Sequence, residues 1–352
     1  MLQIEATINQ DIKCFDSGND DLNRWLALTL KAYDRDILAE NREGTTVQSV
    51  KSDTLLNFRL PIPPLSEQRR IVAKLELVLA RVDACRARLE TVPTLLKRFR
   101  QSVLAAACSG RLTEDWREEI TPWETVPLAD IITELRNGIS TKPNQSLPGT
   151  PILRISSVRP GKVDTHDIRY LPDAETLMEK YALREGDLLF TRYNGTKDLV
   201  GVCGVVKSLG NNTLLYPDKL MRVRVQPERV LPEYLEIYFS DATTRDIVMA
   251  ASKSSAGQIG ISGESLKNTP VSLPLLAEQH EIVRRVTAFF AFADQVEARY
   301  TQAKTHTDRL TQSILAKAFR GELVPQDPAD EPAAELLARK REKKTTLPST
   351  GQ

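Results

Sequence analysis

The sequence predicts an α+β fold: a domain organised on a mixed or antiparallel sheet, together with two long helices that pair as a coiled coil. Three observations carry this. Residues 61–112 hold an apolar heptad too long for an ordinary core helix. Residues 273–321 repeat that element without a gap. Between the two lie short apolar runs separated by Gly, Pro, Asn and Asp turns.

The first long element follows the segment Leu60-Pro61-Ile62-Pro63-Pro64-Leu65, with Ser66-Glu67-Gln68 as helix start and Gly110 as stop. One heptad register is Leu75, Val82, Leu89, Leu96 and Val103; the other is Ile71, Val78, Cys85, Val92, Phe99 and Ala106. Filling both seam positions over about five repeats demands a second long helix to cover the stripe. The plainer alternative is an amphipathic core helix, but those average only about three turns. Pro93 lies inside the pattern and predicts a kink or break, because proline lacks an N–H and crowds the preceding turn.

The second element opens with Pro274-Leu275-Leu276-Ala277-Glu278-Gln279 and closes at Gly321. Its registers are Val286, Ala293, Tyr300, Thr307, Ile314 and Ile282, Phe289, Val296, Ala303, Leu310. Glu67-Gln68 matches Glu278-Gln279, Asp83 matches Asp294, Gln101-Ser102 matches Gln312-Ser313, and Gly110 matches Gly321. No Pro or Gly interrupts the stretch from Ala277 to Arg320, so a helix there spans about 65 Å at 1.5 Å per residue. A single period of about 210 residues is too long for a solenoid and reads as a duplicated module, one long helix per copy. Each helix carries a stripe that the other can cover.

Composition narrows the function. The 352 residues suffice for two domains or more. Net charge is +1, so a nucleic-acid surface, if present, has to be local rather than global. The cysteines (Cys14, Cys85, Cys108, Cys203) are scattered with no close pair, which argues against a metal site or disulfide scaffold and fits a reducing cytoplasm. No apolar run is long enough to span a membrane and Met1 opens no signal peptide, so the expected location is cytoplasmic.

In chain order, residues 1–60 read as the rear of a module. Leu22 to Leu38 has helical spacing, and Gly44 to Ser49 is a polar loop. Asp11, Leu22, Trp25 and Leu26 line up with Asp218, Leu231, Tyr234 and Leu235, so the front of that module is expected ahead of Met1. Residues 61–112 form the first long helix. Residues 113–272 form the complete domain, after a charged linker that ends near Trp123. Strand-like runs are Ile152 to Ile155, Asp187 to Thr191, Val200 to Val206 and Met221 to Val225. Helices are expected at Pro127 to Leu135 and Pro232 to Met249. Residues 273–321 form the second long helix. Residues 322–352 read as a mobile tail with one short helix from Ala333 to Arg341.

No phosphate-binding glycine loop and no dinucleotide fingerprint is present, and His166, His280 and His306 lack ligand spacing. Nothing assembles into a nucleophile, base and orienter. Three polar loops are more informative. Arg192, Tyr193, Asn194, Thr196 and Lys197 follow a strand and offer a guanidinium, an ammonium, an amide, a hydroxyl and an aromatic face, the groups that contact phosphates and base edges. The stretch with Lys142 and Asn144 and the stretch with Lys253, Ser254 and Gln258 share this character. A plain surface loop is the commoner reading of each taken alone.

Two long helices, each led by Pro-x-x-(Ser/Ala)-Glu-Gln and ended by Gly-(Arg/Glu)-Leu, resemble those of the specificity subunit of type I restriction–modification systems. Pro63 to Val72, Pro274 to Val283, Gln101-Ser102 with Gly110-Arg111-Leu112, and Gln312-Ser313 with Gly321-Glu322-Leu323 carry the resemblance. Residues 113–272, with Gly186-Asp187-Leu188-Leu189-Phe190 and the early Trp123 and Gly138, resemble that family's target-recognition domain. The resemblance implies a non-catalytic subunit in which an antiparallel helical pair spaces two DNA readers. It implies double-stranded DNA, N6-adenine methyltransferase subunits and translocase–nuclease subunits as partners. S-adenosylmethionine, ATP and Mg²⁺ would be held by those partners, with no cofactor in this chain. One departure stands out: a single complete recognition domain. The chain is then a truncated product, or pairs with its own copy or with a separate half-subunit. A coiled-coil adaptor or a degenerate competitor that binds the methyltransferase without reading DNA is the alternative.

Overall fold

The computed structural model describes residues 14–15, 17–39, 50, 52–118, 122–145, 148–210, 213–255, 258–335 and 337–339, with the side chains of Ser254, Ser255 and Gln258 left undescribed. The expected counterpart Asp11, the loop from Gly44 to Ser49 and the basic run from Lys340 to Lys344 lie outside these residues.

The helices are α1 (Asp20–Ala32), α2 (Asp34–Ala39), α3 (Ser52–Asn57), α4 (Leu65–Cys108), α5 (Glu175–Tyr181), α6 (Pro232–Tyr238), α7 (Ala242–Ala250), α8 (Gly263–Lys267) and α9 (Leu276–Phe319). The strands are β1 (Glu124–Pro127), β2 (Ile132–Asn137), β3 (Thr150–Leu153), β4 (Val158–Arg159), β5 (Lys162–Val163), β6 (Ile168–Leu171), β7 (Leu188–Thr191), β8 (Tyr193–Asn194), β9 (Cys203–Val205), β10 (Leu220–Val225), β11 (Lys253–Ser255), β12 (Gln258–Gly260) and β13 (Pro270–Leu273). Two compact units emerge, Met1–Val92 with Ala298–Gln352, and Pro93–Glu297. The division falls within both long helices.

In the first unit, Trp25 of α1 packs with Ile71, Val72, Leu75, Leu79 and Val82 of α4 and with Ile314, Leu315, Ala318 and Phe319 of α9. The Trp25 and Phe319 rings meet edge to face at 4.9 Å. Arg86 of α4 reaches Asp308 of α9 at 3.4 Å. In the second unit, Val103 and Ala107 of α4 share a core with Ile282 and Val286 of α9. There Phe99 meets Phe289 at 6.0 Å, and Arg100 bonds Asp294 at 2.6 Å and Glu297 at 2.9 Å. Rising numbers on α4 meet falling numbers on α9 in each unit, so the pairing is antiparallel. Burying one seam side chain such as Leu75 contributes about 1.5–3 kcal/mol.

Of the expected seam residues, Leu75, Val82, Leu96 and Val286 are buried, and Leu89 and Val296 are half-buried. Phe289 and Leu310 instead stand 41% and 38% exposed. An α-helix has 3.6 residues per turn, so a strict seven-residue register drifts about 20° per heptad. On α9 the half-buried places fall at Thr307 and Thr311 with Ile314 buried after them, a step of four then three that turns Leu310 outward. α4 runs through Pro93 as one helix, not the expected break. The carbonyl of Leu89 there loses its usual N–H partner.

In the second unit the main sheet has the strand order β2-β10-β7-β9, all antiparallel. Side-chain alternation gives it two covered faces. Leu188, Phe190, Met221 and Val223 enter one core, and Leu189 and Leu220 the other. β1 pairs with β13, and β3 with β6. The helix expected at 127–135 is a 3₁₀ turn, Leu128–Ile131, followed by β2. Pairing with β10 decides this, because a tertiary ladder overrides weak local propensity. The helix expected at 232–249 is two, α6 and α7. Asp241 stops the first and caps the second, accepting from the N–H groups of Thr243 and Thr244. The Leu22–Leu38 helix is likewise two, with Tyr33 ending α1. In the tail, 333–335 and 337–339 are helical.

Candidate nucleic-acid interface

β7 is buried along its whole length and delivers the chain to Arg192. The Thr191 hydroxyl donates to the Leu199 carbonyl and accepts from the Val202 N–H at 3.2 Å, so it closes the loop between them. The Arg192 N–H donates to the Lys219 carbonyl at 2.7 Å, and its carbonyl accepts from the Ile261 N–H at 2.9 Å. Its guanidinium carbon lies 4.7 Å from the centre of the Tyr193 ring, a cation–π arrangement. Arg192 is half-buried, and its Nε has no hydrogen-bond partner.

Two of the three polar loops share one small sheet. Its order is β11-β12-β8, with Tyr193 opposite Gly260, Asn194 opposite Ile259, and Lys253 opposite Gly260. Gly260 is required by close approach: a Cβ there would meet the Tyr193 ring at 2.1 Å. Asn194 Oδ1 accepts from the Thr196 N–H at 3.0 Å, an Asx turn that leaves Thr196 and Lys197 exposed. Lys253 is exposed on the edge strand; of Ser254 and Gln258 only the backbone is described.

The third loop joins through the segment Tyr216 to Leu220. The Gly138 N–H donates to the Leu220 carbonyl at 3.1 Å, the Ile139 N–H to the Tyr216 carbonyl at 3.0 Å, and the Asp218 N–H to the Ile139 carbonyl at 2.8 Å. A Cβ on Gly138 would sit 2.2 Å from the Pro217 carbonyl oxygen, so only glycine permits this approach. Asn144 is held by two backbone bonds to Tyr170, of 2.8 and 3.1 Å, with its side chain exposed. A cleft of about 490 Å³ opens here, lined by Lys142, Arg154, Arg169 and Lys219 with Asp218 the acidic member. Arg154 is paired with Asp167 at 3.4 Å. The segment from Pro217 to Lys219 therefore bonds two of the loops directly, at Ile139 and Arg192, and the loop with Lys253 joins them through the pairing of β12 with β8.

Arg154, Arg169 and Lys219 are not among the residues the sequence points to: Arg154 falls in a strand-like run, and Lys219 stands next to an acidic neighbour with no loop signature. Sequence carried no signal for their convergence.

Beneath this surface lies an ionic network on the main sheet. Arg222, 1% exposed, bonds Glu134 at 2.6 Å and the Ala182 carbonyl at 3.0 Å. Arg224 grips Asp187 with two bonds, 2.7 and 3.1 Å. Burial pushes the Glu134 carboxyl up, but hydrogen bonds from Arg136 and Arg222 outweigh it and hold the group below the usual range. These charges pair with one another and brace the strands, leaving the exposed cations to meet a ligand. Among the described residues no group of His, Cys, Asp or Glu could hold a metal ion, and no helix is long and apolar enough to cross a membrane.

With this geometry in view, comparison with known proteins is informative. The family described as type I restriction modification DNA specificity domain matches residues 1–93 and 120–304. The chain belongs to this family. It is 49% identical over 292 residues to the type I restriction enzyme EcoKI specificity subunit of Escherichia coli (strain K12), covering 82% of this chain and 63% of that one. It is 35% identical over 306 residues to the StySPI specificity subunit of Salmonella potsdam, covering 86% and 66%. The chain thus spans about two-thirds of the length of these relatives. In fold it resembles the HsdS subunit from Thermoanaerobacter tengcongensis, with a TM-score of 0.55 and 21% identity over 85% of this chain and 70% of that one. The second matched stretch, residues 120–304, includes the candidate interface.

Proposed function

We propose that the chain is a non-catalytic DNA-specificity subunit of a type I restriction–modification complex, and that it reads duplex DNA through the three-loop surface of residues 113–272. One observation carries the reading: Lys142, Arg169, Arg192, Lys197, Lys219 and Lys253 stand on loops and short strands tied to one another by backbone bonds and by β11-β12-β8. Cations on such loops neutralise phosphates, while Arg192, Tyr193 and Asn194 supply base-edge donors, acceptors and an aromatic face. The paired long helices, in this reading, dock N6-adenine methyltransferase subunits and, through them, translocase–nuclease subunits. S-adenosylmethionine, ATP and Mg²⁺ belong to those partners. A self-dimer or a separate half-subunit would supply a second reader.

Duplex binding by the purified chain tests this. Affinity should fall steeply with salt, with a log–log slope of about −0.9 per phosphate neutralised. A flat salt response, or no preference among sequences, would leave the chain as a methyltransferase adaptor that does not read DNA.

A further inference from the structure

The surface segment Pro217–Lys219 is held from two sides and from beneath. On one side it is bonded to two loops. The Tyr216 carbonyl accepts from the Ile139 N–H at 3.0 Å, the Asp218 N–H donates to the Ile139 carbonyl at 2.8 Å, and the Lys219 carbonyl accepts from the Arg192 N–H at 2.7 Å. On the other side Leu215 is tied to β3 by two bonds of 2.9 Å, its N–H to the Pro151 carbonyl and its carbonyl to the Leu153 N–H. Between these anchors stands Tyr216, which is 0% exposed. The Arg222 guanidinium carbon lies 5.4 Å from the centre of its ring, and the Tyr181 ring meets it edge to face at 6.1 Å. Its hydroxyl donates to the Arg136 carbonyl at 3.4 Å.

Arg222 is itself fixed. Its guanidinium donates to Glu134 at 2.6 Å, to the Ala182 carbonyl at 3.0 Å and to the Lys180 carbonyl at 3.3 Å. A buried ion pair is a weak source of net stability, because desolvation offsets the attraction. What this one supplies is a single arrangement. A planar guanidinium with three acceptors around it holds the ring beside it in one place.

We propose that Tyr216, clamped by Arg222, is a positioning residue of the DNA surface. It fixes Pro217–Lys219, and through the Lys219 carbonyl it fixes the angle at which Arg192 faces a base edge. Tyr216 and Arg222 are 0% and 1% exposed, so neither touches DNA. The proposal rests on the reading of DNA through Arg192. A base-edge hydrogen bond weakens steeply once its angle falls below about 120°. A small tilt of Arg192 therefore costs discrimination, while lysines on flexible stems still meet phosphates.

The test is a double-mutant cycle on the full chain. The probes are a duplex selected from a random pool by the unaltered chain and an unrelated duplex of equal length, and the readout is the ratio of the two affinities. Tyr216→Leu should lower this ratio at least about fivefold, the lower end of what one base contact supplies, with affinity for the unrelated duplex changed far less. Tyr216→Phe keeps the ring beside Arg222 and should keep the ratio. In an Arg192→Ala background Tyr216→Leu should lower the ratio no further, because nothing is left to position. A merely structural role would lower the active fraction and leave the ratio alone. Arg222→Lys keeps a charge beside Glu134 but removes the planar face. It should give the same pattern as Tyr216→Leu, which keeps the test decisive if that variant fails to fold. An unchanged ratio in the folded variant, or a loss that adds to that of Arg192→Ala, would overturn the proposal and leave Arg192 as a reader. Failure to enrich any sequence from the pool, or an unchanged ratio in Arg192→Ala, would instead strike the reading itself and the positioning role with it.

Discussion

At the residue scale, Arg192 is the most informative side chain on the proposed DNA surface. Its backbone is fixed on both sides by Lys219 and Ile261, and its guanidinium rests on Tyr193 while Nε stays unpaired. A pre-positioned guanidinium loses little freedom on meeting a base edge. Arg192→Ala should weaken specific binding by about 1–3 kcal/mol while changing non-specific binding far less, as competition against unrelated duplex would measure. A uniform loss across all sequences would assign Arg192 to phosphate contact. Gly260→Ala tests the platform rather than the reader. Its Cβ would strike the Tyr193 ring at 2.1 Å, so the ring must move and sequence discrimination should fall while the main sheet stays folded. Circular dichroism and competition binding on one sample separate the two effects.

At the scale of elements, the long helices are held by their seam and not by their surface charges. Leu75 is fully buried, and Leu75→Ala should destabilise by about 2–5 kcal/mol in denaturant unfolding. The Arg100 pairs with Asp294 and Glu297 involve carboxylates that stay 71% and 56% exposed, so Arg100→Ala should cost below about 1 kcal/mol. Pro93→Ala should act in the opposite direction. Restoring an N–H for the Leu89 carbonyl in the helix interior should raise stability, by up to about 3 kcal/mol, read as a higher melting temperature. In the main sheet, Glu134 sets a pH dependence. Its carboxyl is held below the ordinary range, so its contribution is complete above the unfolded value of about 4.3 and lost as pH falls through the lower folded value. Acid unfolding followed by circular dichroism should therefore start closer to neutrality in Glu134→Gln, which forfeits the charge at every pH.

At the scale of the whole molecule, the family assignment and the proposed role concern assembly. A specificity subunit is useful only if it holds catalytic partners against the DNA it reads. The expected outcome is co-purification with an N6-adenine methyltransferase subunit and S-adenosylmethionine-dependent methylation of adenines in one sequence context. The purified chain alone should methylate nothing. Mapping of methylated adenines in the reconstituted complex checks both statements.

The sequence by itself determined the repeat, the α+β character of the middle domain and the two long helices, and left the sheet as mixed or antiparallel. Those properties are periodic or are marked by Gly and Pro, so they can be read along one dimension. It also located the loops at Lys142, Arg192 and Lys253. It misplaced Leu310 and Phe289 because a seven-residue register drifts against a helix of 3.6 residues per turn. It took residues 127–135 for helix because the partner strand that makes β2 a strand lies almost ninety residues away. Only the tertiary structure decided that two of the loops are bonded through Pro217–Lys219 and the third through β8, and that Arg154, Arg169 and Lys219 join them. Each of these depends on which distant segments touch, and contact between distant segments leaves no periodic mark in the chain.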